Sequence, residues 1–369
     1  MIYLDNGATS FRKPPQVKKA MMNALDRCAN SGRGGYGAAM EAANVVFRCR
    51  ETVGDFFGCN PEQVVFTSNC THGLNMAIRT LVKPGDRVVV SGFEHNAVTR
   101  PLHGLGAELL VAGRKLFDWE DTLESFDRAL KKAPAAAVFT HVSNVFGYIL
   151  PVEELAAMCR RRGIPFIVDA AQSAGMLPVS LSDLGADFIA MPGHKGLLGP
   201  QGTGLLLCRN PPEPLLMGGT GSESVRQDMP DFTPDRGEAG TLNVPGIAGL
   251  GAGIRWIQGT GIQQIFKREQ NAAQLCAKGL EKQGFRVFRG PHQAGTLSFV
   301  PECGCEEAAQ QLARRNIAVR AGLHCAPLAH ESGGTLETGT VRISFGHDAS
   351  DSQIRSLLQE TSKLSAGDF

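Results

Sequence analysis

Short apolar runs alternate with longer stretches of helical period through the first two thirds of the chain. The runs at 64–68, 87–91, 108–112, 136–140, 165–168, 187–190 and 203–208 read as strands. Helix-period segments separate them at 71–81, 97–105, 119–131 and 153–162. This alternation predicts an α/β fold with a mostly parallel sheet and helices on both faces. Such sheets bind ligands beyond the carboxyl ends of their strands. The pattern changes after about Pro245: residues 247–283 are helical with a break near Gly259-Thr260-Gly261. Short strands follow at 286–288, 296–299, 318–320 and 340–344, with helices at 305–315 and 350–364. The expected division is an N-terminal segment (1–15), a large domain (16–250) and a smaller α+β C-terminal domain (251–369). Residues 216–243, rich in Gly, Ser, Asp and Pro, read as a long functional loop.

Composition narrows the class further. Of 369 residues, 43% are hydrophobic and 20% charged, which fits a globular chain and excludes a disordered or fibrous one. A formal net charge of +1 gives no electrostatic reason to expect nucleic acid or an acidic membrane as partner. Residues 1–5 carry neither a basic nor an apolar signal region. The longest stretch without Lys, Arg, Asp or Glu, 133–152, contains Thr140, His141, Ser143 and Asn144 and does not read as a membrane span. The ten cysteines are scattered without framework spacing, so reduced thiols in a cytoplasmic protein are expected.

Several strand ends carry residues capable of chemistry. "IPFIVDAAQSAG" puts Asp169 after an apolar strand, with Gln172 three residues on. A lone Asp there caps a helix or partners a cation. "DFIAMPGHKGLLGPQGTG" then places His194 and Lys195 among glycines. An isolated "GHKG" is a surface turn as readily as a nucleophilic amine, but an acid followed by a lysine meets both requirements of pyridoxal phosphate chemistry. "VVFTSNCTHGLN" offers Thr71 and a helix start to an anion. "SGFEHNAV" sets His95 after another strand, as a ring-stacking imidazole or as part of a helix cap. In "VRAGLHCAPLAH", His324 and Arg320 near Cys325 would give local positive character that lowers the thiol pKa; a buried structural cysteine is the alternative. No second cysteine or histidine pair lies at metal-ligand spacing, so no metal is expected. Arg342 in "GTVRISFG" suits a carboxylate or a plain salt bridge. "GLGAGIRW" lacks the full dinucleotide fingerprint, and tight helix packing accounts for its glycines.

Together these segments resemble the class V aminotransferase family of fold-type I pyridoxal phosphate enzymes, and within it the cysteine desulfurases. The match also takes in "YLDNGATS", "NSGRGGYGAAMEA", "HVSNVFG" and "RGEAGTLNVPGI", and so runs nearly end to end. The resemblance implies pyridoxal 5'-phosphate joined to Lys195, with Asp169 on the pyridine nitrogen, Gln172 on the phenolic oxygen and His95 stacked on the ring. Thr71 and His194 would hold the phosphate, and Thr241 would reach that of the neighbouring subunit. Asn144 and Arg342, with Arg320, would orient the substrate carboxylate, and Lys195 or His95 would move the α-proton. Cys325 would take sulfur from L-cysteine as a persulfide, leaving L-alanine. The short approach "GLHCAP" resembles the group II branch, whose members often depend on a sulfur-acceptor protein. The implied settings are iron–sulfur cluster assembly, tRNA thiolation or selenium metabolism, in a homodimer. The alternatives are a selenocysteine lyase, or a class V transaminase in which Cys325 is only structural. Three places depart from the family pattern: Pro192 where Ser is common, Tyr36 where His is common, and "HDAS" after "VRISFG" in place of Tyr-Asn-Thr.

Overall fold

The computed structural model describes residues 1–32 and 34–364; Arg33, inside the "NSGRGGYGAAMEA" segment, lies outside the described residues. A short strand β1 (Ile2–Tyr3) precedes two helices, α1 (Pro15–Arg27) and α2 (Gly37–Phe57). Then come β2 (Val64–Thr67), α3 (Cys70–Leu81), β3 (Arg87–Ser91), α4 (Asn96–Gly104), β4 (Glu108–Ala112), α5 (Trp119–Leu130) and β5 (Ala136–Thr140). They are followed by α6 (Val152–Arg162), β6 (Phe166–Asp169), the single turn α7 (Leu181–Leu184), β7 (Phe188–Pro192) and β8 (Gly204–Cys208). These strands form one seven-stranded sheet in the order β2-β8-β7-β6-β5-β3-β4, in which β8 alone runs against the rest.

The strand sequences explain the layering. Every residue of β5, β6, β7 and β8 is buried, because helices cover both faces. Successive side chains alternate between two apolar cores. Ala137, Phe139, Phe166, Val168, Ile189 and Met191 pack with α2, α5, α6 and the later helix α8 (Val244–Thr260). Ala136, Val138, Ile167, Phe188 and Ala190 pack with α3 and α4 on the other face. Each fully buried large side chain stabilises by about 1.5–3 kcal/mol.

The remaining chain builds a smaller layer. The helix α9 (Ile262–Lys282) leads to β9 (Arg286–Phe288), β10 (Thr296–Val300), α10 (Cys305–Arg314), β11 (Ile317–Ala318), β12 (Arg320–Gly322), α11 (Pro327–Gly333), β13 (Thr340–Ser344) and α12 (Asp351–Thr361). An antiparallel sheet in the order β12-β13-β10-β9 packs its Leu297, Phe299, Val341 and Ile343 against α9, α10 and α12. The strand expected at 318–320 is split instead. Ile317 and Ala318 pair with Ile2 and Tyr3, whereas Arg320 pairs with Arg342, so the segment serves two different partners and cannot stay in one sheet. Among the described residues all ten cysteines are unpaired, and no helix is long and apolar enough to cross a membrane.

The N-terminal residues form a strap between the two sheets. On the small-sheet side, Gly7 N donates to Ser344 Oγ (2.7 Å) and Asn6 Nδ2 to Ser344 O (3.1 Å). On the large-sheet side, Ser10 Oγ donates to Lys195 O (3.0 Å) and Lys13 Nζ to His194 O (2.9 Å).

Candidate active site

The carboxyl ends of β2, β5, β6 and β7, with the turn after β3, converge on one cavity of about 100 Å³. Thr71, His95, Asn144, Asp169, Gln172, His194 and Lys195 all line it, so seven residues picked out by the sequence meet there. Pro192 lines it as well. Tyr36 is instead an exposed residue at the start of α2. Thr241 is exposed on a separate depression, away from the cavity.

Asp169 ends β6 and is 2% exposed. Its Oδ1 accepts from Ala171 N (2.8 Å) and faces the Cys70 thiol at 3.5 Å. Burial nevertheless raises the carboxyl pKa, because two donors and the nearby Lys195 do not replace lost water. Burial pushes Lys195 the other way, toward the neutral amine, and Arg342 and Arg320 add to that. Among the described residues Lys195 Nζ has no hydrogen-bond partner, whereas its carbonyl is fixed by the strap. A desolvated amine beside a desolvated acid is an arrangement suited to covalent capture of a carbonyl compound.

The two cavity histidines are both neutral near physiological pH. His95 caps α4: its Nδ1 accepts from Ala97 N (3.0 Å), which places the ring proton on Nε2. Burial, then Lys195, Arg342 and Arg100, bring its pKa down to about 4. It is therefore a helix cap and a cavity wall together. His194 faces Thr9 Oγ1 at 3.0 Å and is likewise brought to about 4 by burial, Lys195 and Lys13. At the start of α3, Asn69 caps the helix by accepting from His72 N (2.9 Å), and Thr71 stands beside it at the cavity rim.

The small sheet adds two arginines and a thiol. Arg342, 2% exposed, donates through Nη2 to Asp5 Oδ1 (2.6 Å) and through Nη1 to Asn144 O (3.1 Å). Arg320 Nε donates to the other Asp5 oxygen at 3.1 Å. Cys325 is exposed, and its carbonyl accepts from Asn96 N (2.7 Å), which joins its loop to the first turn of α4 beside His95. Asn144 Nδ2 donates to His324 O (2.8 Å). The expected positive character from His324 is not there. Its ring is buried and its pKa is pushed down to about 2 by burial, then by Arg342 and His330, so it carries no charge to offer the thiol.

Sequence reasoning passed over Cys70, Glu94 and Asp5. Each stands within a quoted motif, Cys70 beside Thr71 and Glu94 beside His95, and each has a partner remote in sequence. The fit of pyridoxal 5'-phosphate can be judged from the donor set. A buried acid with Oδ1 already occupied, a flat imidazole wall, an unpartnered amine and a helix start with Thr71 and His194 match its ring nitrogen, ring face, aldehyde and phosphate.

A mostly parallel α/β sheet with this acid–lysine pair at its strand ends defines an aminotransferase-like pyridoxal phosphate fold. The family described as Aminotransferase class-V matches residues 2–357, and the chain belongs to it. A probable cysteine desulfurase of Pyrococcus abyssi is 36% identical over 94% of this chain and 89% of its own length. One from Methanothermobacter thermautotrophicus is 34% identical over 99% and 95%. An apo cysteine desulfurase from Thermococcus onnurineus superposes with a TM-score of 0.89 at 33% identity, covering 98% of this chain and 94% of that one.

Proposed function

We propose that the chain is a pyridoxal 5'-phosphate-dependent cysteine desulfurase that converts L-cysteine to L-alanine and receives the sulfur on Cys325. The observation that carries this reading is the tie between Asn96 N and the Cys325 carbonyl, which joins the loop of an exposed cysteine to the helix capped by His95, on the wall of the Lys195–Asp169 cavity. Bound pyridoxal phosphate would supply a carbonyl that captures the substrate amine and a conjugated ring that draws electrons from Cα. Lys195 would hold it covalently, and Asp169 would keep its ring nitrogen protonated. Gln172 would reach its phenolic oxygen, and His95 would stack on the ring. Thr71, His194 and, from a second copy, Thr241 would hold its phosphate.

Arg342, Arg320 and Asn144 would orient the substrate carboxylate. Two guanidinium groups share one Asp5 carboxylate, which leaves one net positive charge for the single carboxylate of cysteine. Lys195 is the better acceptor of the α-proton. Burial favours its free amine, whereas His95 already carries a proton on Nε2 and uses Nδ1 as a cap. The Cys325 thiolate would attack the substrate sulfur: the Cβ–S bond breaks, an S–S bond forms and the carbon side takes up a proton. The part of the chain from 16 to 250 would hold the cofactor, and 251–369 would bring the arginines and the thiol. A homodimer is inferred, supported by exposed Met40, Phe47, Leu216, Met217 and Phe232 on α2 and the 216–243 loop, and a cytoplasmic setting is inferred from the unpaired cysteines. A sulfur-acceptor protein would then draw on Cys325.

Mass spectrometry of Cys325 after incubation with L-cysteine tests this. One added sulfur atom is expected, with alanine released. Cys325→Ser should keep the bound-cofactor absorbance but lose steady alanine production, and Lys195→Ala should lose the lysine-bound absorbance. Full turnover by Cys325→Ser would sink the assignment. Parallel assays with L-selenocysteine compare the two substrates.

A further inference from the structure

His324 and Cys325 are consecutive non-glycine residues with φ of 48° and 55°. This left-handed backbone brings Cβ close to the following carbonyl, so two in a row must be held by their surroundings. A closed circuit of hydrogen bonds does so. Asn144 Nδ2 donates to His324 O (2.8 Å). The His324 ring lies with Nε2 at 3.1 Å from Thr340 Oγ1 and 3.2 Å from Thr340 O. Thr340 Oγ1 donates to Ser298 Oγ (3.2 Å), and Ser298 Oγ donates to Val145 O (2.7 Å). The circuit therefore leaves the chain at Asn144 and returns at Val145.

Every proton in it points one way. The Thr340 hydroxyl gives its proton to Ser298, and a carbonyl can only accept, so Nε2 is the donor and His324 is the Nε2–H tautomer. Its Nδ1 is buried without a partner among the described residues. His324 is 8% exposed while Cys325 is exposed to solvent. Arg342 donates to the carbonyl of Asn144 (3.1 Å), so the arginine proposed to bind the substrate carboxylate joins the same residue that anchors the loop.

We propose that His324 is a positioning residue for the Cys325 thiol, holding the loop through Nε2–H, and not the base that ionises it. The inference rests on the reading of Cys325 as sulfur acceptor, and deepens it by naming what aims that thiol. Burial, Arg342, His330 and Arg320 oppose protonation of the ring and outweigh the Thr340 carbonyl, which favours it, so the ring remains a neutral donor through the working pH range.

The test compares His324→Ala, which removes the donor, with His324→Gln, whose amide N–H falls near Nε2. In the purified holoenzyme, hydrogen exchange of the 322–326 backbone should quicken at least tenfold in His324→Ala and return toward wild type in His324→Gln. Single-turnover persulfide formation should fall at least tenfold in His324→Ala, with KM for cysteine and the cofactor absorbance little changed, and His324→Gln should recover most of it. The pH midpoint of Cys325 alkylation by iodoacetamide should not move in His324→Gln. Wild-type exchange in His324→Ala overturns the proposal, as does a midpoint raised by about one unit in His324→Gln, which would mark a base or ion-pair partner. If His324→Ala does not fold, Thr340→Val removes the hydroxyl from the circuit, leaving Nε2–H only the Thr340 carbonyl, and should quicken exchange in the same loop; unchanged exchange there overturns the proposal. Absence of persulfide on wild-type Cys325 would refute the sulfur-acceptor reading, while the exchange experiment still judges the latch.

Discussion

Glu94 is fully buried directly before His95, with Oε1 accepting from Ser91 Oγ and from Thr140 N (2.8 Å) while Oε2 has no partner among the described residues. Desolvation outweighs those donors and raises its pKa from 4.5 to about 8, with Asp169 adding to the rise. The folded chain therefore keeps a proton that the unfolded chain releases. The corresponding stability is full below about pH 4.5 and is lost as pH climbs through about 8, on the order of a few kcal/mol. Glu94→Gln keeps the Oε1 acceptor and removes the titration. Urea midpoints should then fall less between pH 6 and pH 8.5 than in wild type, though not to zero, because buried Glu269 is also raised to about 8. Parallel pH slopes in the two proteins would rule this out. Glu94 also shows where the sequence is silent. Lys195, Asp169 and Gln172 stand out because a strand end followed by glycines or an acid is a local signal. Cys70 and Asp5 acquire meaning from partners 99 and 337 residues away, and Glu94 from Thr140, 46 residues on, as well as from its neighbour Ser91.

At the scale of elements, α8 shows how a glycine can be required or idle. A Cβ on Gly253 would stand 2.4 Å from Leu197 O, in the turn that carries Lys195, whereas a Cβ on Gly259 would meet nothing within 4 Å. Alanine gains up to about 1 kcal/mol of helix propensity at either position, but overpacking against backbone costs about 1–3 kcal/mol. Gly259→Ala should thus raise the melting temperature by about one degree. Gly253→Ala should lower it and loosen cofactor binding, read from absorbance after dialysis. A stabilised Gly253→Ala would show that the turn yields freely. The strands of the large sheet and the longer helices from α3 onward were legible because their apolar spacing is clean, whereas the two-residue β1 and the short α7 and α11 are too brief to show a period. The helices α1 and α2 were not. Only Val17 and Ala24 are buried in α1, and the buried face of α2 contains Arg50 and Gly54. Arg50 is tolerated there because Glu238 and the Val64 carbonyl receive its guanidinium, a pairing no local pattern announces.

Across the whole molecule, the strap decides how the two sheets meet. Its Asp5 carboxylate is the counter-ion of Arg342, whose side chain is 3% exposed, and of the half-exposed Arg320. Removing one partner of a buried pair leaves the other charge unmatched, at a cost of about 3–5 kcal/mol. The 13% exposure of Asp5 and the open side of Arg320 put the expectation near the lower bound. Asp5→Ala should therefore lose about 3 kcal/mol in denaturant unfolding and raise KM for L-cysteine as Arg342 loses its orientation. A loss below about 0.5 kcal/mol would mean that the arginines are held by other contacts.

The Gly7–Ser344 bond joins groups 337 residues apart. At roughly 5–20 residues per second, a ribosome that has made residue 7 needs tens of seconds more to reach its mate. Until then the early strap has nothing to grip on the late sheet, and the carbonyls of His194 and Lys195 can be tied only from one side. The strap of a nascent chain thus stays open on one side until translation has passed the last strand, a built-in delay between making the first residues and fastening them.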